Sequence, residues 1–229
     1  TLNWSHPTAS NFEIQVIPEG GMPANSGIPV SGNTYELTNL DPGTPYDVYI
    51  KSSCDNTTES EFVGPFSFNT LILGLTCESS IVIPDISTTP FILQDNLSTF
   101  SNPDLTYSTQ GSNCLSPGIT NNYLNGDKAF LSYTATEDGL VTITQTVATG
   151  SAAGENCFNT NTAVLVYESC EDVGVTCIAG TTTSSNNREV QIENLLVQAG
   201  QTYIIVVSTN LSPGAGICFN LEVDGSACM

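Results

Sequence analysis

Cations are almost absent from this sequence. Lys51, Lys128 and Arg188 are its 3 basic residues against 23 acidic ones, giving a formal charge of −20 at pH 7. Charged residues of both signs make up only 11% of the chain, so the imbalance comes from missing lysine and arginine rather than from acidic runs. Phosphate backbones and anionic membranes are held by neutralising them with Lys and Arg. The composition therefore weighs against both, and leaves calcium, neutral glycans and proteins as partners. Histidine is scarcer still: His6 is the single one. A Ser–His–Asp or Cys–His arrangement has only that base to draw on, and a histidine-built zinc hydrolase lacks its ligand set. No apolar run approaches the ~20 residues that a membrane-spanning helix needs. Also missing are CxxC spacings, a phosphate-binding GxxxxGK[ST] loop and a dinucleotide-binding glycine fingerprint. The chain opens inside a strand-like phrase, TLNW, with no signal-peptide pattern, so it reads as a mature or excised piece of a larger protein.

Cysteine, by contrast, is present in an even number. Its 8 copies are Cys54, Cys77, Cys114, Cys157, Cys170, Cys177, Cys218 and Cys228, set in a Thr-, Ser- and Asn-rich background. That combination fits disulfides in an oxidising, extracellular compartment. Helical periodicity is nearly absent, while short β-branched and aromatic runs recur between Gly, Pro, Asn and Asp. The pattern predicts an all-β chain with strands over 12–17, 34–38, 46–52, 66–69, 129–136, 140–146, 163–168, 189–197, 203–209 and 218–223. Cys170 and Cys177 flank a short loop between two of them, which makes a local bridge between the pair the simplest expectation.

Residues 1–70 carry an ordered set of parts: Trp4 in an early strand, the alternating run FEIQVIP, and then YELTNLDPGTPYDVYIKSSC and GPFSFNT. Leu40, Pro42, Gly43 and Tyr46 spell an L-x-P-G-x-x-Y corner, in which a tyrosine hydroxyl bonds back to the turn and ties two sheets together. This segment resembles a fibronectin type III domain, particularly those of secreted Bacteroidetes proteins. The resemblance implies a strand before Trp4 that this sequence lacks, through truncation or because another segment donates it. Residues 71–75 (LILGL) are a short apolar linker suited to packing between domains. Residues 76–229 resemble the bacterial pre-peptidase C-terminal type of domain, through G-D-x-x-x-x-S-Y-T-A, the E-D-G turn, V-Y-x-S-C and A-G-x-T-Y-x-I-V-V-S. Together the two resemblances imply tandem β-sandwiches, the first immunoglobulin-like and the second jelly-roll-like, in a type IX-secreted multidomain surface protein.

The second resemblance also implies a Cys77–Cys114 pair, leaving Cys157 and Cys218 for a third bridge. Cys54 and Cys228 remain, to pair with each other or with cysteines elsewhere. For calcium, which takes six to eight oxygen ligands, related domains point to the NGDK turn at Asn125 and Asp127. Glu171 and Asp172 come second, and simple turn formation explains both sets as well. Glycan stacking requires exposed aromatics beside polar groups, and Tyr107, Tyr123 and Phe158 stand in loop-like settings. They serve equally as anchors of loops to the core. Asn3, Asn56, Asn96 and Asn210 form N-x-[ST] sequons that the composition alone accounts for. No catalytic set is expected. The functional expectation is a secreted or cell-surface accessory or adhesive module that spaces domains of its parent chain and contacts glycans or surface proteins. A carbohydrate-binding module of a polysaccharide-degrading enzyme, or a self-associating subunit of a filament built by strand addition, are the alternatives.

Overall fold

The structure, a computed structural model of the chain, describes all residues except 54–57, 103–104, 106, 108–113, 116–122, 148–156, 158–160, 185, 210–215 and 228–229. It divides into two compact units, Thr1–Ile72 and Leu73–Met229, and both are built from strands. The first unit contains β1 (Leu2–Asn3), β2 (Asn11–Pro18), β3 (Ile28–Ser31), β4 (Thr34–Tyr35), β5 (Pro45–Ser53) and β6 (Val63–Asn69). The second contains β7 (Ile81–Ile83), β8 (Phe91–Asn96), a 3-10 turn over Leu97–Phe100, β9 (Lys128–Thr134), β10 (Gly139–Val147), β11 (Thr162–Tyr167), β12 (Ala179–Thr182), β13 (Glu189–Val197), β14 (Thr202–Thr209) and β15 (Cys218–Ala227).

In the first unit a four-stranded sheet, in the order β3-β2-β5-β6, faces a two-stranded sheet of β1 and β4. Alternation sends Phe12 and Ile14 of β2 and Tyr46 and Val48 of β5 to the same side, and these are the buried apolar residues of the unit among the described residues. The opposite face is polar but organised. Asp47 accepts a hydrogen bond from the Ser67 hydroxyl at 2.6 Å and another from the Gly20 N–H at 3.0 Å. Lys51 pairs with Glu13 at 3.1 Å and Glu59 at 2.7 Å. The corner forms as its residues suggest: Gly43 takes φ 62°, and the Tyr46 hydroxyl accepts the Asp41 N–H at 3.1 Å.

The second unit stacks a four-stranded sheet, β13-β10-β15-β8, on a five-stranded one, β12-β11-β14-β9-β7, in which β7 runs parallel to β9. Strand β10 alternates strictly between buried and half-buried positions, the pattern of a strand with one covered face. Strands β9, β11 and β14 are instead buried almost continuously, which requires cover on both sides. One side is the inter-sheet core of Leu131, Ile143, Val164, Ile205, Leu221 and their neighbours. The other is a second core in which Phe130, Leu165, Tyr167 and Val206 are roofed by Leu105, Tyr107, Tyr123, Leu124 and Val173.

Disulfides pin that roof, and their pairing corrects the sequence expectation. Cys77 joins Cys170 and Cys114 joins Cys177, rather than Cys170–Cys177 and Cys77–Cys114. The loop between Cys170 and Cys177 is already closed by backbone bonds from Val175 and Thr176 to the Asp172 carbonyl. Each cysteine is thereby presented to a different segment of the cover. Cys157 is bonded to Cys218. Cys54 and Cys228 lie outside the described residues.

Candidate functional site

Among the described residues no catalytic constellation is assembled, and no three His, Cys, Asp or Glu side chains converge to hold a metal ion. His6, the one imidazole, uses Nδ1 to accept the backbone N–H groups of Ala9 at 2.9 Å and Thr8 at 3.3 Å, which makes it the cap of an exposed turn.

The residues singled out for calcium take up structural positions. Asn125 is exposed, whereas Asp127 is buried and its carbonyl accepts the Thr209 N–H. Lys128, 2% exposed, donates from Nζ to the Gly126 carbonyl at 2.7 Å. Burial pushes its ammonium below the ordinary lysine value, with the Asp127 charge opposing the shift. Asp172 accepts the Ser169 hydroxyl at 2.5 Å inside the turn that orients the cysteines, and Glu171 is exposed beside it.

Of the aromatics expected to stack on sugars, the two that are described pack against the outer core. Tyr123 is 6% exposed within the outer core. Tyr107 packs its ring 5.9 Å from that of Phe130, and burial pushes its hydroxyl up to about 12. Phe158 lies outside the described residues. Tyr123 is buried and Tyr107 half-buried against the outer core, surroundings that fit the alternative reading of each, a loop fastened to the core.

Two recesses were not foreseen from sequence. The larger is in the first unit, where the narrow two-stranded sheet covers only part of the four-stranded one. A cavity of about 670 Å³ is left, lined by Leu2, Trp4, Ile14, Ile50, Phe66 and Phe68, among others. Its floor is the apolar face: Val48 and Phe66 are register partners, and so are Tyr46 and Phe68, whose rings stack at 5.9 Å. Phe66 is 56% exposed at one rim. Trp4 stands at the other, its ring 5.4 Å from that of Phe12 in an edge-on contact. No charged side chain lines the cavity, although the chain carries −20. Along its margin β1 pairs with β4 on one side only. The sequence signal was present in the alternating apolar residues of FVGPFSF. Reading it requires knowing how little of that face β1 and β4 cover.

The smaller recess, of about 410 Å³, lies in the second unit beside β13 and includes Glu168, Ile178, Leu196 and Gln201.

Comparison with known proteins gives one family. Residues 1–66 match the fibronectin type III domain, whose members are non-catalytic modules. No curated protein matches the chain. Among solved structures, the chain is similar to PliG of Aeromonas hydrophila, a periplasmic lysozyme inhibitor of g-type lysozyme, at 12% identity and a TM-score of 0.31, over 64% of this chain and 95% of that one. It is also similar to tripeptidyl peptidase 2 at 10% identity and a TM-score of 0.30, over 95% of this chain but only 16% of that one. At these scores neither likeness carries an argument about this chain.

Proposed function

We propose that this chain is a non-catalytic accessory module of an extracellular protein, which contacts protein surfaces and takes up an extended segment of a partner in the cleft of its first unit. The observation that carries this reading is the uncharged apolar cavity between the β1–β4 pair and the four-stranded sheet. An edge strand with an open side templates the backbone of an incoming strand, and alternate apolar side chains of that strand would fill the space above Phe66 and Phe68. The reading favours strand addition over sugar recognition. Among the described residues Phe66 is the one aromatic with more than a third of its surface exposed, and the other large exposed apolar residues are aliphatic. Three disulfides support an oxidising compartment.

Trp4 is the only tryptophan and lines the cleft, so its fluorescence reports on that site alone. The test is a titration of the oxidised chain with short peptides of alternating valine and threonine, run beside a glycan array. The expected result is a saturable blue shift of Trp4 emission, lost in Phe66→Asp, with a flat array. Unchanged Trp4 emission together with selective glycan binding would overturn the proposal in favour of a carbohydrate-binding module.

A further inference from the structure

The recess beside β13 has a chemical character of its own. Strand β13 pairs with β10 with a register shift between Val141 and Ile143, and Asn194 takes a left-handed φ of 56°. Beyond this irregularity Leu195 and Leu196 both line the recess, where strict alternation would have sent one of them to the far side. Leu196 is 63% exposed and Ile178, across from it, 39%. These side chains make an apolar wall at the surface.

The polar side chains beside that wall are Glu168, Gln198, Gln201 and Tyr203, whose hydroxyl accepts the Gln198 N–H at 3.0 Å, and the one formal charge among them is negative. The Gln201 carboxamide spends its Nε2 donor on the carbonyls of Glu168, at 3.4 Å, and Thr202, at 3.1 Å. Among the described residues no donor is bonded to its Oε1. The Glu168 carboxylate is exposed and has no ion pair or hydrogen bond among the described residues. The chain has little with which to neutralise it. Lys51 is held by Glu13 and Glu59 in the first unit, and Lys128 is buried on the Gly126 carbonyl. Arg188 precedes the first residue of β13, about 25 Å of extended chain away from Leu196. A negative charge and a carbonyl oxygen next to exposed aliphatic surface match one kind of group: a cation on an aliphatic stem.

We propose that this recess receives a lysine or arginine side chain of a partner protein, with its methylenes on Ile178 and Leu196 and its cationic head at the Glu168 carboxylate and Gln201 Oε1. Long basic side chains bind in this divided manner, stem on apolar surface and head among acceptors. The bulge at Asn194 discourages pairing of a whole strand along β13, so side-chain capture is the contact this edge allows. The inference goes beyond the strand-accepting cleft and shares no residue with it, so either can fail alone.

The test is an amide chemical-shift titration of the full oxidised chain with three capped tripeptides, whose central residue between two alanines is lysine, arginine or norleucine. Norleucine keeps the stem and removes the charge. The expected result is saturable shifts at Ile178, Leu196, Gln198 and Gln201 with the lysine or the arginine peptide, and none with norleucine at equal concentration. Glu168→Gln is expected to weaken binding about fivefold, the worth of one exposed charge pair, and Leu196→Ser to weaken it with the charge intact. Both positions are exposed, and each variant's own spectrum shows whether it is folded. Shifts scattered over the acidic surface without saturation, no shifts at all, or an unchanged titration in Glu168→Gln would overturn the proposal.

Discussion

The two units turn the same corner and then diverge in how they hold together. In the first, Leu40-Asp41-Pro42-Gly43-Thr44-Pro45-Tyr46 places the Tyr46 hydroxyl on the Asp41 N–H at 3.1 Å. In the second, Val197-Gln198-Ala199-Gly200-Gln201-Thr202-Tyr203 places the Tyr203 hydroxyl on the Gln198 N–H at 3.0 Å. Both glycines are left-handed, at φ 62° and 78°. Around the first corner, however, the buried apolar side chains among the described residues are Phe12, Ile14, Tyr46 and Val48. Around the second there are two cores, one on each face of a single five-stranded sheet, and bridges tie down the outer one. One local device thus serves two regimes of stability: a thin sandwich with an open apolar face, and a three-layer one that is closed and stapled. Burial fraction rises with the size of a unit, which places the cleft proposed to take up a partner in the unit with less to lose.

Reducing the disulfides is the sharpest way to test that contrast. The bridges span 93, 63 and 61 residues of sequence, and each restricts the unfolded second unit by about 4–5 kcal/mol on the chain-entropy account. Thiol treatment is expected to lower the melting temperature of the second unit steeply and to loosen first the roof over Phe130 and Leu165. Amide exchange, read residue by residue, checks this. Equal loss of protection in β2 and β5 would break the comparison. Core truncation comes next. Ile14→Ala and Leu165→Ala each remove a fully buried side chain at about 2–5 kcal/mol. That is most of what a unit as thin as the first can hold and a fraction of what the second holds. Ile14→Ala is expected to abolish the dispersed amide signals of β2 and β5 at 37 °C, whereas Leu165→Ala is expected to stay folded with a lower melting temperature.

The sequence made these depths only partly legible. Strands β10, β13 and β14 were read nearly to their ends, because period-2 alternation and β-branched runs are local signals. Strands β7 and β8 were missed inside a Ser-, Thr- and Pro-rich stretch. Three residues of β7 gain meaning only from parallel pairing with β9, far along the chain. The cysteines show the same limit. Their participation in bridges was readable from number and context, but the nearest partner in sequence was the wrong one for Cys170, since its own loop was already closed by backbone bonds. Tyr123 and Tyr107 looked like loop aromatics because the sheet they roof is continuously apolar, and nothing local tells a doubly covered strand from a singly covered one. The cleft was invisible for a converse reason: it depends on a width that β1 and β4 lack.

Acid and alkali should separate the units next, with smaller effects. In the first, the Ser67 hydroxyl and then the Gly20 N–H hold the Asp47 carboxyl below its ordinary value. The Gly27 N–H, helped by Lys51, does the same for Glu13. A carboxyl that is depressed in the folded chain stabilises fully above its unfolded value, near 4, and that contribution is lost as pH falls through the folded one. Lowering the pH from 5 to 2 is therefore expected to destabilise the first unit, and Asp47→Asn to blunt the loss. In the second, burial raises Tyr107 to about 12, so its contribution is complete below pH 10 and lost between about 10 and 12. Burial of Lys128 works the other way, adding stability as pH rises toward the unfolded lysine value. The second unit is expected to hold to about pH 10 and then fall. The second unit has a depressed carboxyl of its own, Asp85, held down by the Ser87 N–H and hydroxyl, so a smaller acid loss is expected there. Unit-resolved melting from pH 2 to 12 checks both halves, and an acid loss in the second unit larger than that in the first would count against the assignment to Asp47 and Glu13.

The finest comparison removes one oxygen from each corner. Tyr46→Phe and Tyr203→Phe keep the rings, which are 7% and 5% exposed, and leave the Asp41 and Gln198 N–H groups without their acceptor. A net hydrogen bond of this kind is worth about 1 kcal/mol. If the corners are one device, the two changes in free energy agree to within a few tenths of a kcal/mol. Their consequences then differ in proportion to what surrounds them: a clear drop in midpoint for the thin unit and a slight one for the stapled unit. The same pair measured under reducing conditions sharpens the point, since loss of the bridges should bring the sensitivity of Tyr203→Phe toward that of Tyr46→Phe. Unequal free-energy changes in the oxidised chain would mean that the corner itself, and not the depth of core behind it, distinguishes the two units.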